Sequence, residues 1–315
     1  MRLGVDAMGG DYAPEAVVLG AIEASEKVLP DTTLVLFGDK GRIEQLLKEN
    51  NASAKNIEIV HASQVIEMSD HPTQAFSQKT DSSIVVGFTH LKMGKIDGFA
   101  SAGSTGAMMV GCMHVIKQIE GVIRPTIASA LPTLKNNKAL LLDVGLNVDC
   151  KPEVLYQYGL IGSIYSNVVL GNSNSRVALL NIGEEKEKGN NLTKATYQLM
   201  EGTTDFNFIG NAEPKHLFTG EVADVFVCDG FVGNTILKQT EGLYSVICAS
   251  SSHVDNPFVK ELNYENEGGT PVLGVNECVI IGHGCSTSKA ITNMILQTEK
   301  TVKTRLVQKI KEAFC

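Results

Sequence analysis

Along this chain, short apolar runs alternate with longer stretches whose apolar residues recur at helical spacing. The runs at residues 3–6, 34–38, 57–61, 98–101, 139–143, 176–181, 206–210, 225–228 and 278–282 predict strands. The helical stretches predict helices over about 14–28, 40–50, 82–93, from the 101–107 turn to about 119, and over 152–165, 190–201 and 234–251. A long helix from residue 288 closes the chain, and Pro14 suits a first helical turn because its missing N–H costs nothing there. Such alternation predicts an α/β fold with a mostly parallel sheet covered by helices. Ligands of these sheets bind beyond the carboxyl ends of the strands, so the loops at those ends are where chemistry is sought.

Three of those loops are rich in glycine: DAMGGD at 6–11, SAGSTGA at 101–107 and DVGLNVDCKP at 143–152. Glycine lets backbone N–H groups approach a ligand with no Cβ in the way. A helix starting just beyond adds unpaired N–H donors and the positive end of its dipole. Together they suit an anion, phosphate above all. In the first loop Gly9 and Gly10 allow a tight turn, while Asp6 and Asp11 can orient a lysine or cap a helix; a purely structural turn is the alternative. In the second, Ser101, Gly103, Ser104, Thr105 and Gly106 can ring a phosphate with hydroxyls and N–H groups, or simply cap a helix. In the third, Asp143 follows a strand and Lys151 precedes Pro152 at a helix start, where it can neutralise an anion. Asn147 can donate to an oxygen gaining charge, and Asp149 can position Lys151 or a substrate proton. An Asp-capped helix with a surface lysine is the other reading.

Further loops repeat the grammar. Asn181 opens NIGEEK, where Glu184 and Glu185 read equally well as a charged helix start. Asp229 and Gly230 open DGFVGN, which ends on Asn234, another donor for a developing oxyanion. His283 lies between two glycines after a strand and is the best single candidate for proton transfer, since imidazole titrates near neutrality. Cys150 and Cys285 flank these loops as conceivable nucleophiles, without a partner base visible in sequence. Met108, Met109, Val110 and Met113 can line an apolar groove or serve as ordinary core. No GxGxxG, GxxxxGK[ST] or HExxH motif is present, which removes the main support for dinucleotide, nucleoside-triphosphate and zinc-protease readings.

Composition narrows the picture further. A chain of 315 residues, 43% hydrophobic and 20% charged, has ample length for a large core, as one domain over 1–315 or as two intimate halves. A formal charge of -8 argues against nucleic acid, and an acidic protein partner would need a local basic patch. The basic final helix reads as a solvated face or as a docking element. Seven cysteines without CxxC spacing support neither a zinc site nor a disulfide framework, and a reducing cytoplasm is the expected home. Asp6 and Asp11 interrupt any N-terminal leader, and no run is long enough to span a bilayer.

The loops, in this order, resemble the PlsX family of phosphate acyltransferases. The likeness spans nearly the whole chain: LGVDAMGGD at 3–11, SAGSTGA at 101–107, RPTIASALP at 124–132, DVGLNVDCKPE at 143–153, RVALLNIGEEKEKGN at 176–190, FIGNAE at 208–213, TGEVADVFVCDGFVGN at 219–234 and GVNECVIIGHG at 274–284. The resemblance implies transfer of a long-chain acyl group from acyl carrier protein to inorganic phosphate, the acyl phosphate then feeding a downstream acyltransferase of glycerolipid synthesis. It implies an α/β/α sandwich like that of isocitrate and isopropylmalate dehydrogenases and phosphotransacetylases, a homodimer, and no tightly held organic cofactor; no metal site is expected from the sequence. The nearest rival is a phosphotransacetylase using acyl-coenzyme A; a nicotinamide-dependent dehydrogenase of related fold and a non-catalytic carrier-protein-binding scaffold are the others. Members of the family carry a long apolar, basic helical excursion here replaced by a short polar stretch, a flap over 243–269. The membrane contact that the excursion implies thereby loses its support. After FIGNAE, where relatives often show arginine, this chain offers Lys215 and His216.

Overall fold

Strands buried along almost their whole length, such as RLGVD and TLVLFG, are what a sheet covered on both faces requires. The computed structural model describes residues 1–52, 55–250 and 255–314. In chain order its strands are β1 (Arg2–Asp6), β2 (Thr33–Gly38), β3 (Ile57–His61), β4 (Gly98–Ser101), β5 (Thr126–Pro132), β6 (Lys138–Leu142), β7 (Arg176–Leu180), β8 (Asn207–Ala212), β9 (Val225–Val227), β10 (Thr270–Leu273) and β11 (Cys278–Ile281). The α-helices are α1 (Glu15–Ser25), α2 (Lys40–Glu49), α3 (Pro72–Gln78), α4 (Ser83–Lys92), α5 (Thr105–Val110), α6 (Pro152–Tyr165), α7 (Asn191–Met200), α8 (Gly230–Ser250), α9 (Pro257–Glu261), α10 (Ser288–Lys303) and α11 (Leu306–Phe314).

These elements form two compact units. The first joins Met1–Ile119 to Tyr264–Val307; the second joins Glu120–Asn263 to Gln308–Cys315. In the first unit the strand order is β3-β2-β1-β4-β11-β10, parallel except for β10 against β11. One face is covered by α1, α2 and α10, with Leu3, Val5, Val17, Ala21, Ile291 and Ile295 in the core. On the other face α4 brings Phe88 edge-on to Phe99, which meets Phe37 in the same way. In the second unit the order is β5-β6-β9-β7-β8, parallel except for β5 against β6. There Gly162 lets α6 approach Val225 and Leu142 closely, while Ile236 and Leu237 of α8 pack on the opposite face around Phe226 and Leu141.

The mostly parallel α/β class expected from the alternation is what the strands form. The observed elements differ from the expected ones in several places. β5, β10, α3 and α9 were not anticipated. The helix expected over 234–251 begins at Gly230, because the DGFVGN glycines pack into the helix start instead of forming a free turn; its residue 251 lies outside the described residues. The helix after the second glycine turn is α5 followed by a π-helical turn, Gly111–Ile116, and stops where Lys117 takes a φ of 65°. The closing helix is broken at Arg305, with φ 55°, into α10 and α11. Of the stretch read as a flap, 251–254 lie outside the described residues; the rest is the end of α8, α9 and a short turn, Tyr264–Asn266.

Candidate active site

In the first unit, β1 and β4 lie side by side and deliver their glycine turns to neighbouring positions. Asp6, at the end of β1, is buried and accepts hydrogen bonds from the Ser101 hydroxyl at 2.6 Å and the Met8 N–H at 3.1 Å. Ser101 in turn accepts from the Gly103 N–H at 3.0 Å. Burial pushes the Asp6 carboxyl above its usual range, against the lowering effect of the Ser101 and Ser83 hydroxyls. A Cβ on Gly9 would overlap the Asp6 carboxylate and lie 2.6 Å from the Gly103 nitrogen, so the two turns touch backbone to backbone. Gly10 takes a φ of 108°, which favours glycine. The third loop joins them: Asp11 donates its N–H to the Gly284 carbonyl at 2.7 Å, and Gly282 donates to the Ser101 carbonyl at 2.8 Å. Ser104 spends its hydroxyl capping α5, accepting from Ala107, whereas Thr105 is exposed and Gly106 packs on Pro72. His283 is half-buried, its ring edge-on to Tyr264 at 4.9 Å. Met108 is fully buried core, while Met113 is exposed.

In the second unit, Asp143 ends the β6 run and draws the loop around itself. Its buried carboxylate accepts from the N–H groups of Gly145, Leu146 and Asn147 at 2.8–3.0 Å and from the Asn147 amide at 2.9 Å. Burial raises the Asp143 carboxyl, opposed by those four donors. Gly230 donates to the Asn147 carbonyl at 2.8 Å, and Asn234 stands beside Gly145, so the start of α8 is part of this cluster. Asp229 accepts from Val232 at 2.9 Å as a helix cap. The Asn147 amide donates to Pro125, Asp143 and Tyr158. Its two hydrogens are thus committed, and it braces the loop where an oxyanion donor was expected. Lys151 is exposed at the N-cap of α6, Asp149 is exposed beside it, and the Asp149 carbonyl accepts from the Arg124 guanidinium at 3.2 Å. Among the described residues, neither Lys151 nor Arg124 has a carboxylate partner. Burial pushes the Cys150 thiol up to about 11, the wrong direction for a nucleophile.

Asn181 closes its own loop, donating to the Lys188 carbonyl at 3.1 Å and accepting from Ile182 at 2.9 Å. Among the described residues, Glu184, Glu213 and His216 have ligand atoms within 4.8 Å of one another, as a metal would need. Glu213 already pairs with Lys215, and His216 lies 3.0 Å from Glu184. The candidates therefore assemble as two clusters. Asp6, Gly9, Gly10, Asp11, Ser101, Gly103 and the 282–284 loop meet in one unit; Asp143, Asn147, Asp149, Lys151, Gly230 and Asn234 meet in the other. Sequence reasoning missed Arg124 and Tyr158. Arg124 stands in the RPT segment as a cation before a proline, and Tyr158 was legible only as one of several hydroxyls on a mostly apolar helix.

A family model described as "Fatty acid synthesis protein" matches residues 1–253. Phosphate acyltransferases of Desulfitobacterium hafniense and Dictyoglomus turgidum are 44% and 43% identical, each over 99% of this chain and 97% of their own length. The chain belongs to the PlsX family of phosphate acyltransferases. It is therefore a transferase that moves acyl groups to phosphate. Among solved structures, a phosphotransacetylase from Streptococcus pyogenes matches with a TM-score of 0.68 at 15% identity, covering 96% of this chain and 94% of its own. A branched-chain phosphotransacylase from Enterococcus faecalis gives 0.65 at 12%, covering 96% and 99%. At such identities these likenesses establish the fold, a mostly parallel sheet with helices on both sides. Among the described residues, no helix is long and apolar enough to cross a membrane.

Proposed function

We propose that this phosphate acyltransferase takes a fatty acyl group from acyl carrier protein and passes it to inorganic phosphate. One observation carries the phosphate half of the reading. In a chain of net charge -8, Lys151 and Arg124 stand on one loop system without a carboxylate partner among the described residues. Such cations are suited to a mobile dianion. Phosphate is strongly hydrated and a modest nucleophile, so it must be partly stripped of water and aimed at the thioester carbonyl. Lys151 and Arg124 serve that holding role. Asn234, in the same unit as Lys151, serves as donor to the developing oxyanion. The thiolate departs without needing a strong acid. Attack is direct in this reading, since burial pushes the half-buried Cys150 thiol up to about 11, away from the thiolate a nucleophile needs. The acyl phosphate leaves for an acyltransferase of phospholipid synthesis. In this reading the enzyme works in the cytoplasm as a homodimer.

The test is phosphate-dependent release of free carrier-protein thiol. Lys151→Ala is expected to raise the phosphate KM about tenfold or more, the scale of one charged hydrogen bond, with donor KM little changed. Equal turnover of acyl-coenzyme A would overturn the carrier-protein assignment. A trapped acyl-Cys150 or acyl-Cys285 would overturn direct attack.

A further inference from the structure

The Asn147 amide offers two hydrogens to three acceptors: the Pro125 carbonyl at 2.7 Å, the Tyr158 hydroxyl at 2.8 Å and Asp143 Oδ2 at 2.9 Å. Tyr158 directs its own hydrogen to the Pro125 carbonyl at 3.4 Å. Its side chain is fully buried in α6, the helix that starts next to Lys151. Packing alone would be served by phenylalanine. A buried phenol is unfavourable unless bonded, so the hydroxyl is explained by what it holds. It holds two things at once: the loop that carries Lys151, through Asn147, and the segment that carries Arg124, through the adjoining Pro125. Asn147 is the point where the loop is fastened, by its N–H to Asp143 and its carbonyl to Gly230. Beyond it, Val148, Asp149 and Lys151 are exposed.

We propose that Tyr158 is a positioning residue for anion binding, its hydroxyl fixing the spacing of Lys151 and Arg124 through Asn147 and Pro125. The inference rests on the reading that these cations hold the phosphate. It accounts for a fully buried hydroxyl beside the Lys151 loop, and it gives Asn147 a role other than contact with the oxyanion.

The decisive variant is Tyr158→Phe, with Tyr156→Phe as control. Tyr156 lies on the same helix but bonds Thr203 and Asp205, away from the loop. With acyl carrier protein thioester as donor, Tyr158→Phe is expected to raise the phosphate KM about fivefold, the scale of one neutral hydrogen bond. Donor KM and Tm stay close to wild type, and amide exchange over 143–151 quickens; the control changes none of these. Faster exchange with an unchanged phosphate KM overturns the proposal, since the bond would then be structural only. So does an unchanged exchange rate. Should the wild type release no thiol with phosphate, the acyl-transfer reading fails. Protection of 143–151 by inorganic phosphate then decides the Tyr158 role: weakened protection in Tyr158→Phe supports it, and equal or absent protection overturns it.

Discussion

Asp6 and Asp143 are both sealed at the ends of strands, and each organises a glycine turn by accepting its N–H groups. For Asp6 the sign of the pH dependence follows from burial. A carboxyl raised on folding favours the folded state below its unfolded pKa, and that preference is lost as pH rises through the folded pKa. Asparagine cannot titrate. The Tm of Asp6→Asn relative to wild type should therefore climb as pH is raised through that range; a pH-independent difference would show that the Ser101, Ser83 and Met8 donors fully offset burial, and a falling one that they outweigh it. Arg124 belongs to the same scale but to function. Arg124→Ala is expected to raise the phosphate KM by about tenfold, while Arg124→Lys recovers part of it, because lysine keeps the charge but not the planar fork. A recovery to wild type would reduce Arg124 to a bare charge.

At the scale of elements, what matters is how tightly helix starts are pressed onto the loops. Gly233 in α8 sits so close to the Asp143 carbonyl that any Cβ would overlap it. Gly233→Ala is expected to cost about 3 kcal/mol in urea denaturation, and to disturb the Lys151 loop with it. The strands feeding glycine turns were legible because they are short, apolar and followed by helical spacing. β10 was not, since Pro271 within TPVL argues against a strand. β5 reads TIASALP, whose small residues give a faint alternation, and its pairing is antiparallel, outside the strand–helix grammar. The loops as sites were legible for the same reason as their strands. The division of labour within them was not: nothing in the residue types of Ser104, Asp229 or Asn147 says that caps and braces, decided by local geometry, absorb their polar atoms.

For the molecule as a whole, the first unit is discontinuous in sequence. β11 completes the pairing of β4, and α10 covers β1 and β4 from residues far along the chain. Buried Glu299 of α10 accepts from the Leu29 N–H at 2.9 Å and the Thr32 hydroxyl at 2.6 Å, tying late residues to early ones. Glu299→Ala is expected to lower stability by about 2 kcal/mol, as for hydrogen bonds to a charged group. A fragment of residues 1–119 is expected to lack a cooperative thermal transition, since α10, one of three helices on one face, and the β11 pairing of β4 are missing; a sharp unfolding curve for that fragment would contradict this.

That discontinuity has a consequence for birth on the ribosome. At synthesis rates of about 5–20 residues per second, the nascent β1–β4 segment waits on the order of ten seconds for the strand and helix that shield it. Meanwhile the Glu120–Asn263 block emerges as nearly one stretch and can close first. The early strands of the first unit are thus open to aggregation for longer than the block that follows them, and co-expressed chaperones are expected to raise the yield of intact protein.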